Sequence, residues 1–153
     1  MNWDIRKALL SDVDALTELR MELLTLAGDV NEVNRPSVAR ANKEYFENKL
    51  TDGSFSAWVA ESNGIIVSMS GLVFFERPPQ GQNMSGLEGY IMNMYTMPEY
   101  RGKQIARALL EKCITDCRRL GAGRVWLHSS RDGYHLYKST GFTKNGSEME
   151  LLL

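Results

Sequence analysis

Apolar positions recur along this chain with two different periods. Ile105, Leu109, Cys113, Cys117 and Leu120, with Ala106, Leu110 and Ile114 beside them, return every three to four residues and predict a helix reaching about Leu120. Val13, Leu16, Leu19, Leu23 and Leu26 predict an earlier helix. Residues 11–14 (Ser-Asp-Val-Asp) read as its capping box, and Gly28 as its stop. A second helix is predicted to start near Pro36 and to run through Val38, Ala41, Tyr45 and Leu50, with residues 51–54 ending it.

Elsewhere the period shortens to two. Trp3 and Ile5 alternate with polar neighbours and suggest a short opening strand, while residues 55–61 and 65–75 form two longer ones. Asn63-Gly64 between that pair is the strongest short hairpin signal, because both residues accept positive φ. Residues 76–86 carry two prolines and two glycines without periodicity. They read as a loop that either overhangs the acceptor end of a cleft or forms a simple hairpin tip. Residues 89–96 and 124–128 are strand-like and flank the long helix, which implies a parallel pair joined by a right-handed crossover. A short helix over about 131–139 leads to Gly141-Phe142, and residues 149–153 read as an edge strand. No repeat or linker divides the chain, so residues 1–153 are expected to form a single α+β domain around a mixed sheet.

Composition narrows the function classes. At 153 residues, 43% hydrophobic and 24% charged, the chain can build a proper core. A net charge of -1 gives no global attraction to nucleic acid or to an anionic membrane. No apolar run approaches the roughly 20 residues that span a bilayer, and the first residues lack a signal-peptide core, so cytoplasm is the expected location. Cys113 and Cys117, four apart on an apolar helix face, read as small buried hydrophobes. Neither a disulfide nor a metal set is expected.

The chemistry concentrates where the strand 89–96 turns into the long helix. First-turn amides have no partner within a helix, the dipole adds partial positive charge, and Arg101, Lys103 and Arg107 add full charges. A pyrophosphate fits such a place; an ordinary basic helix start after a Pro-Glu-Tyr turn is the plain alternative.

Residues 100–106 (Tyr-Arg-Gly-Lys-Gln-Ile-Ala) resemble the acetyl-CoA pyrophosphate loop of the GNAT-type N-acetyltransferases, (Gln/Arg)-x-x-Gly-x-(Gly/Ala). Arg101 and Ala106 match its ends and Ile105 suits the apolar position, but Gln104 replaces the central glycine. A Gln that keeps a helical backbone and turns its side chain to solvent would leave the cradle intact. Residues 94–98 resemble the family's cofactor strand, and residues 136–142 (Leu-Tyr-Lys-Ser-Thr-Gly-Phe) its second signature. The resemblance implies a GNAT-like fold: a central mixed, mostly antiparallel sheet with a splayed parallel strand pair, flanked by about four helices.

It also implies roles. Met94 and Thr96 would make main-chain contacts to the cofactor, and the Met94 or Tyr95 N–H would face the thioester oxygen. Arg101, Gly102, Lys103, Gln104, Ile105 and Ala106 would form the cradle, with Ser130 standing where many members have Asn. Tyr137 is the expected general acid, since a phenol with a pKa of about 10 is protonated at neutral pH and can donate to a thiolate. Glu88 is the expected base; Tyr90, an ordered water or His128 are the alternatives. Arg20, Glu22, Asn31 and Glu32 fall on the helical pair that walls the acceptor site in the family. The implied activity is acetyl transfer from acetyl-CoA, without a metal, to an amine of a small molecule or protein by direct attack in a ternary complex. A homodimer is among the assemblies the family forms. The second class is a CoA-binding or protein-interaction module without catalysis, motivated by Gln104 and Ser130.

Overall fold

Asn63 (φ 51°) and Gly64 (φ 78°) both take the left-handed backbone that a two-residue hairpin demands. In this computed structural model, which describes residues 2–153, their turn sets the register of β2 (Phe55–Ser62) against β3 (Ile65–Glu76), from Ser62↔Ile65 to Phe55↔Val73. On its other side β2 carries β1 (Asp4–Lys7), again antiparallel. Beyond β3 comes β4 (Leu87–Thr96), antiparallel, and then β5 (Arg124–Leu127), parallel to β4. The five strands form one sheet in the order β1-β2-β3-β4-β5, the expected mixed and mostly antiparallel arrangement.

Four helices cover the two faces. α1 (Val13–Leu26) and α2 (Arg35–Asp52) lie on one face, where Val13, Leu16, Leu19 and Phe46 pack with Phe55, Val59, Met69 and Tyr95. α3 (Ile105–Arg119) covers the other, seating Leu110, Cys113 and Cys117 on Leu72 and Ile91, and α4 (Tyr134–Thr140) adds Tyr137 there. Burial pushes the Cys113 thiol up to about 12 and the Cys117 thiol up to about 11. Among the described residues no helix is long and apolar enough to cross a membrane.

Charged pairs pin the short edge strand. Arg6 of β1 bonds both Asp12 (2.7 Å) and Glu61 (2.7 Å), and that guanidinium holds the Asp12 carboxyl below its ordinary value. Lys7 and the Trp58 indole N–H both donate to Asp116 of α3. Burial alone would raise the Asp116 pKa; these two donors outweigh it and lower it.

Several expectations need correction. The start of α1 is organised one step earlier than the Ser11-to-Asp14 box: a 3-10 turn (Leu10–Asp12) precedes it, and the Leu9 amide donates to Asp12 at 2.7 Å. Leu26 and Leu120 end their helices exposed, because each stripe drifts off the buried face in its last turn. The fourth helix starts three residues later than expected, at Tyr134. Residues 149–153 form no strand and lie exposed. The 76–86 loop, expected either to overhang the acceptor end of a cleft or to form a hairpin tip, connects β3 to the N-terminal end of β4. A β3–β4 connection must sit where β4 begins, and Asn83 there donates to Leu87 O at 3.0 Å and packs on Gly123.

One close approach decides how tightly α3 can sit. A Cβ at Gly89 of β4 would lie 2.4 Å from the Cys117 sulfur. Gly89→Ala is expected to lose about 1–3 kcal/mol in urea unfolding, and Cys117→Ala in the same chain to restore part of the loss. Equal stability of Gly89→Ala and the parent would show that the helix is free to move away.

Candidate active site

The parallel pair does not run its full length. Pairing covers Glu88↔Arg124 through Ile91↔Leu127, after which β4 continues to Thr96 without a neighbour on that side. A bulge lies just beyond: β3 residues 69–71 lie against β4 residues 92–95, so β4 carries one residue too many. Asn93 takes the left-handed backbone there (φ 56°), which Asn tolerates better than most residues. Its buried side-chain oxygen accepts from the Arg20 guanidinium, whose Nε in turn donates to Asn42 of α2. Burial lowers the Arg20 pKa. Two helices therefore hold the bulge from below.

The extra residue also changes which side chains face which layer. Ile91 packs toward α3; past the bulge, Tyr95 joins the α1–α2 core and Met94 the α3 side. Ser68 Oγ bonds Tyr95 O (2.8 Å) and Thr96 Oγ1 (2.7 Å), so the end of β4 stays fixed to β3 while its other edge is open.

The turn that follows is tied to this open end. Pro98–Tyr100 forms a 3-10 turn, and Arg101 Nε donates to Thr96 O at 3.0 Å with its guanidinium 5.7 Å from the Tyr95 ring. Lys103 Nζ reaches Glu99 O at 2.8 Å. Gly102 (φ 74°) and Gln104 (φ 64°) are both left-handed, a backbone that turns successive amides toward one concave point. The expectation that Gln104 keeps a helical backbone is thus overturned. It is the N-cap of α3, in the conformation a glycine adopts freely. No side-chain cap closes this N-terminus, and among the described residues no hydrogen bond leads from the Ile105, Ala106 or Arg107 amides. The Ala108 amide is satisfied by Gln104 O at 3.1 Å. A tetrahedral dianion suits these amides.

Tyr137 stands on the α3 side of the gap in one buried cluster with Met94, Leu127 and Phe142, and burial pushes its phenol pKa up. A Cβ at Gly133 would meet the Tyr137 ring at 2.7 Å, so this glycine leaves room for the ring. Ser130 Oγ accepts the Gly133 amide at 3.1 Å and so shapes the start of α4.

On the opposite face, Tyr90 Oη lies 2.6 Å from His128 Nδ1, and His128 Nε2 contacts Glu148. The Tyr90 and Trp126 rings are 4.6 Å apart. Glu88 is placed differently from its expected role. It is 1% exposed, with one oxygen 3.0 Å from Arg77 and the other 3.3 Å from Arg124. Oε1 accepts a hydrogen bond from Arg124, while Oε2 has only the Arg77 ion pair and no hydrogen bond among the described residues. So buried and paired, the carboxylate braces the paired end of the strands and is closed to solvent. Of the expected acceptor residues, Arg20 lies under the bulge. Asn31 uses its side-chain oxygen on the Val33 (2.9 Å) and Asn34 (3.1 Å) amides of an exposed turn. Glu32 is exposed, and Glu22 pairs with Arg35 (3.4 Å). Asn93, on the strand but unable to take a proton, is no candidate base, yet an Asn inside an apolar strand is the one sequence signal for the bulge; Asn42, Arg77 and Arg124 carry no such signal.

Residues 15–142 match the family model described as acetyltransferase (GNAT) family. The chain is 31% identical over 102 residues to probable N-acetyltransferase family 8 member 5 of Mus musculus, covering 65% of this chain and 42% of that protein. It is 33% identical over 107 residues to N-acetyltransferase 8 of Rattus norvegicus, covering 67% and 46%. It thus spans less than half the length of these curated relatives. Among solved structures, a predicted acetyltransferase from Clostridium acetobutylicum, crystallised with acetyl-CoA, superposes with a TM-score of 0.90 at 30% identity, covering 99% of this chain and 96% of that one. A GCN5-related N-acetyltransferase from Ralstonia eutropha gives 0.90 at 24% identity, covering 99% of each.

Because a side chain at φ 64° is strained, Gln104→Gly is expected to stabilise the protein by about 1 kcal/mol in urea unfolding. A loss of stability would mean that the Gln side chain contributes more than the left-handed turn costs.

Proposed function

The chain belongs to the acetyltransferase (GNAT) family, and we propose that it transfers an acetyl group from acetyl-CoA to a primary amine of a small molecule or protein, by direct attack in a ternary complex. The observation that carries this reading is the opening of β4 away from β5 after Ile91, with an uncapped helix start tied to the same end of β4. The opened edge offers unpaired backbone groups to an extended acyl arm, and the Ile105, Ala106 and Arg107 amides, with the left-handed turn before them, suit its diphosphate. The structure of the Clostridium relative with acetyl-CoA supports the choice of donor.

The roles divide between the two faces. Met94 and Thr96 present main-chain groups along the arm, and the Met94 or Tyr95 N–H meets the thioester oxygen as it gains charge. Arg101, Gly102, Lys103, Gln104, Ile105 and Ala106 hold the diphosphate, and Ser130 acts indirectly by fixing the start of α4. The amine attacks the thioester carbon, the C–S bond breaks, and Tyr137 gives its proton to the departing sulfur. Its raised pKa keeps that proton in place across the neutral range. We assign the amine's proton to Tyr90, which passes its own to His128 Nδ1 while Glu148 faces Nε2. Glu88 keeps the strands paired below the gap. Arg20, with Asn42, positions Asn93 and lines the acceptor side; Asn31 and Glu32 keep only an outer place, at the rim.

Tyr137→Phe is expected to lower kcat by about 10²- to 10⁴-fold while calorimetric affinity for acetyl-CoA stays within a factor of about two. In the parent, kcat is expected to fall only above the ordinary tyrosine pKa, because the raised Tyr137 value delays loss of the proton; the variant lacks this fall. Acetyl-CoA binding without thiol release across a panel of amines would instead mark a non-catalytic binding module.

His128→Asn is expected to lower kcat while calorimetric affinity for acetyl-CoA stays within a factor of about two. Glu88→Gln should chiefly lower the unfolding midpoint. The reverse pattern would return the base role to Glu88.

A further inference from the structure

One part of the sheet face that carries α1 and α2 is left uncovered. Val73 and Met92 still pack into the α1–α2 core, but Phe75, Tyr90 and Trp126 belong to none of the buried clusters and stay half-buried. The pairing of β4 with β5 sets Tyr90 opposite Trp126, with ring centroids 4.6 Å apart. Trp126 meets Phe75 edge-on at 6.0 Å and His128 at 5.5 Å. The result is a row of four rings that starts at the Tyr90–His128 pair and runs toward the clamped end of the strands. Rings left open beside a reaction centre suit a flat apolar group of a substrate.

Positive charge gathers at the far end of this row. The Arg77 guanidinium lies 5.3 Å from the Phe75 ring and 5.9 Å from Trp126, and that of Arg124 lies 4.9 Å from Trp126. Both arginines share one carboxylate, the buried Glu88, which Arg77 meets with Nε (3.0 Å) and Arg124 with Nη1 (3.3 Å). Among the described residues, the two Nη atoms of Arg77 have no hydrogen-bond partner, and its side chain is 54% exposed. A guanidinium stacked on rings keeps its fork of N–H donors flat and turned outward, the geometry that receives a carboxylate. Two cations against one buried anion leave a net positive charge there. With Arg20 under the bulge and Glu148 on His128 counted as well, three cations on this face meet two carboxylates. Length then limits the occupant. Arg124 opens β5 and His128 directly follows it; four residues of strand rise about 13 Å. An extended tripeptide spans about 10–11 Å, and the reach of an arginine side chain closes the difference.

We propose that the acceptor is a zwitterionic amine about as long as a tripeptide. Its amine lies at Tyr90 and His128, a flat apolar body lies on Trp126 and Phe75, and its carboxylate binds the free fork of Arg77 with Arg124 beside it. The assignment rests on the acetyl transfer proposed above and names the acceptor class for that same site. The acetyl group goes to the nitrogen; the carboxylate serves only as an anchor.

The probes are Gly-Phe-Gly and its C-terminal amide. In thiol-release assays the free acid is expected to give a kcat/KM at least about tenfold above that of the amide. Arg77→Gln is expected to bring the two within a factor of about two while the amide is turned over as in the parent. The ratio within one variant does not depend on how much of it is folded, since both peptides meet the same folded fraction. Trp126→Leu is expected to erase a preference for Gly-Phe-Gly over Gly-Ala-Gly. Calorimetry reads the same ratios as dissociation constants without turnover. Acid and amide equal in both measurements, a preference that survives Arg77→Gln, or an equal slowing of both peptides by that variant overturns the proposal. No thiol release from any amine, with the Arg77-dependent preference kept in calorimetry, supports this site and strikes only the reaction.

Discussion

A single inserted residue in β4 is the constraint on which the site depends. Strands that pair in register close a sheet, and a bulge is the least disruptive way to stop pairing on one side while keeping it on the other. Here β4 stays hydrogen-bonded to β3 through Thr96 yet leaves β5 after Ile91. The left-handed Asn93 sits in the bulge, and Arg20 and Asn42 hold it there. Removing the inserted residue would let the strand edges come back together and close the gap.

The other end of the same strand pair is clamped. Glu88, buried between Arg77 and Arg124, fastens the loop before β4 and the first residue of β5 to one point. Asn83 packed on Gly123 does the same from the loop side. A pair of strands fixed at one end and parted at the other is a wedge. Its opening angle is set by α1 and α2 on one face and by α3 on the other, so substitutions in either layer act on the site at a distance. The gain for catalysis is preorganisation: the opened backbone is already in place before any substrate arrives.

Much of this was legible in the sequence where local chemistry and period agreed. Asn63-Gly64 specified the hairpin, and the stripe from Ile105 to Cys117 specified α3 and the face it buries. The strand–turn–helix order located the uncapped start of α3. What stayed hidden depended on partners far along the chain. Glu88 looked like a free carboxylate because Arg77 and Arg124 are brought to it only by the sheet. Gln104 gave no local sign of its left-handed backbone, since that conformation is imposed by the turn. Residues 149–153 read as a strand in the sequence, but an apolar run makes a strand only where an edge pairs with it, and here they lie exposed outside the sheet.

Cys113 and Cys117 share a buried cluster with Tyr137 and Met94, Cys113 against Ser70 beside the bulge and Cys117 under Gly89 at the paired end of β4. The thioester donor proposed to lie along β4 would bring an acyl group near these sulfur atoms, and a thiolate attacks thioesters faster than an amine does. Burial pushes the two thiols up to about 12 and about 11, so both stay protonated near neutral pH. The apolar packing that seats α3 on the sheet thereby also keeps these two thiols protonated and poor nucleophiles.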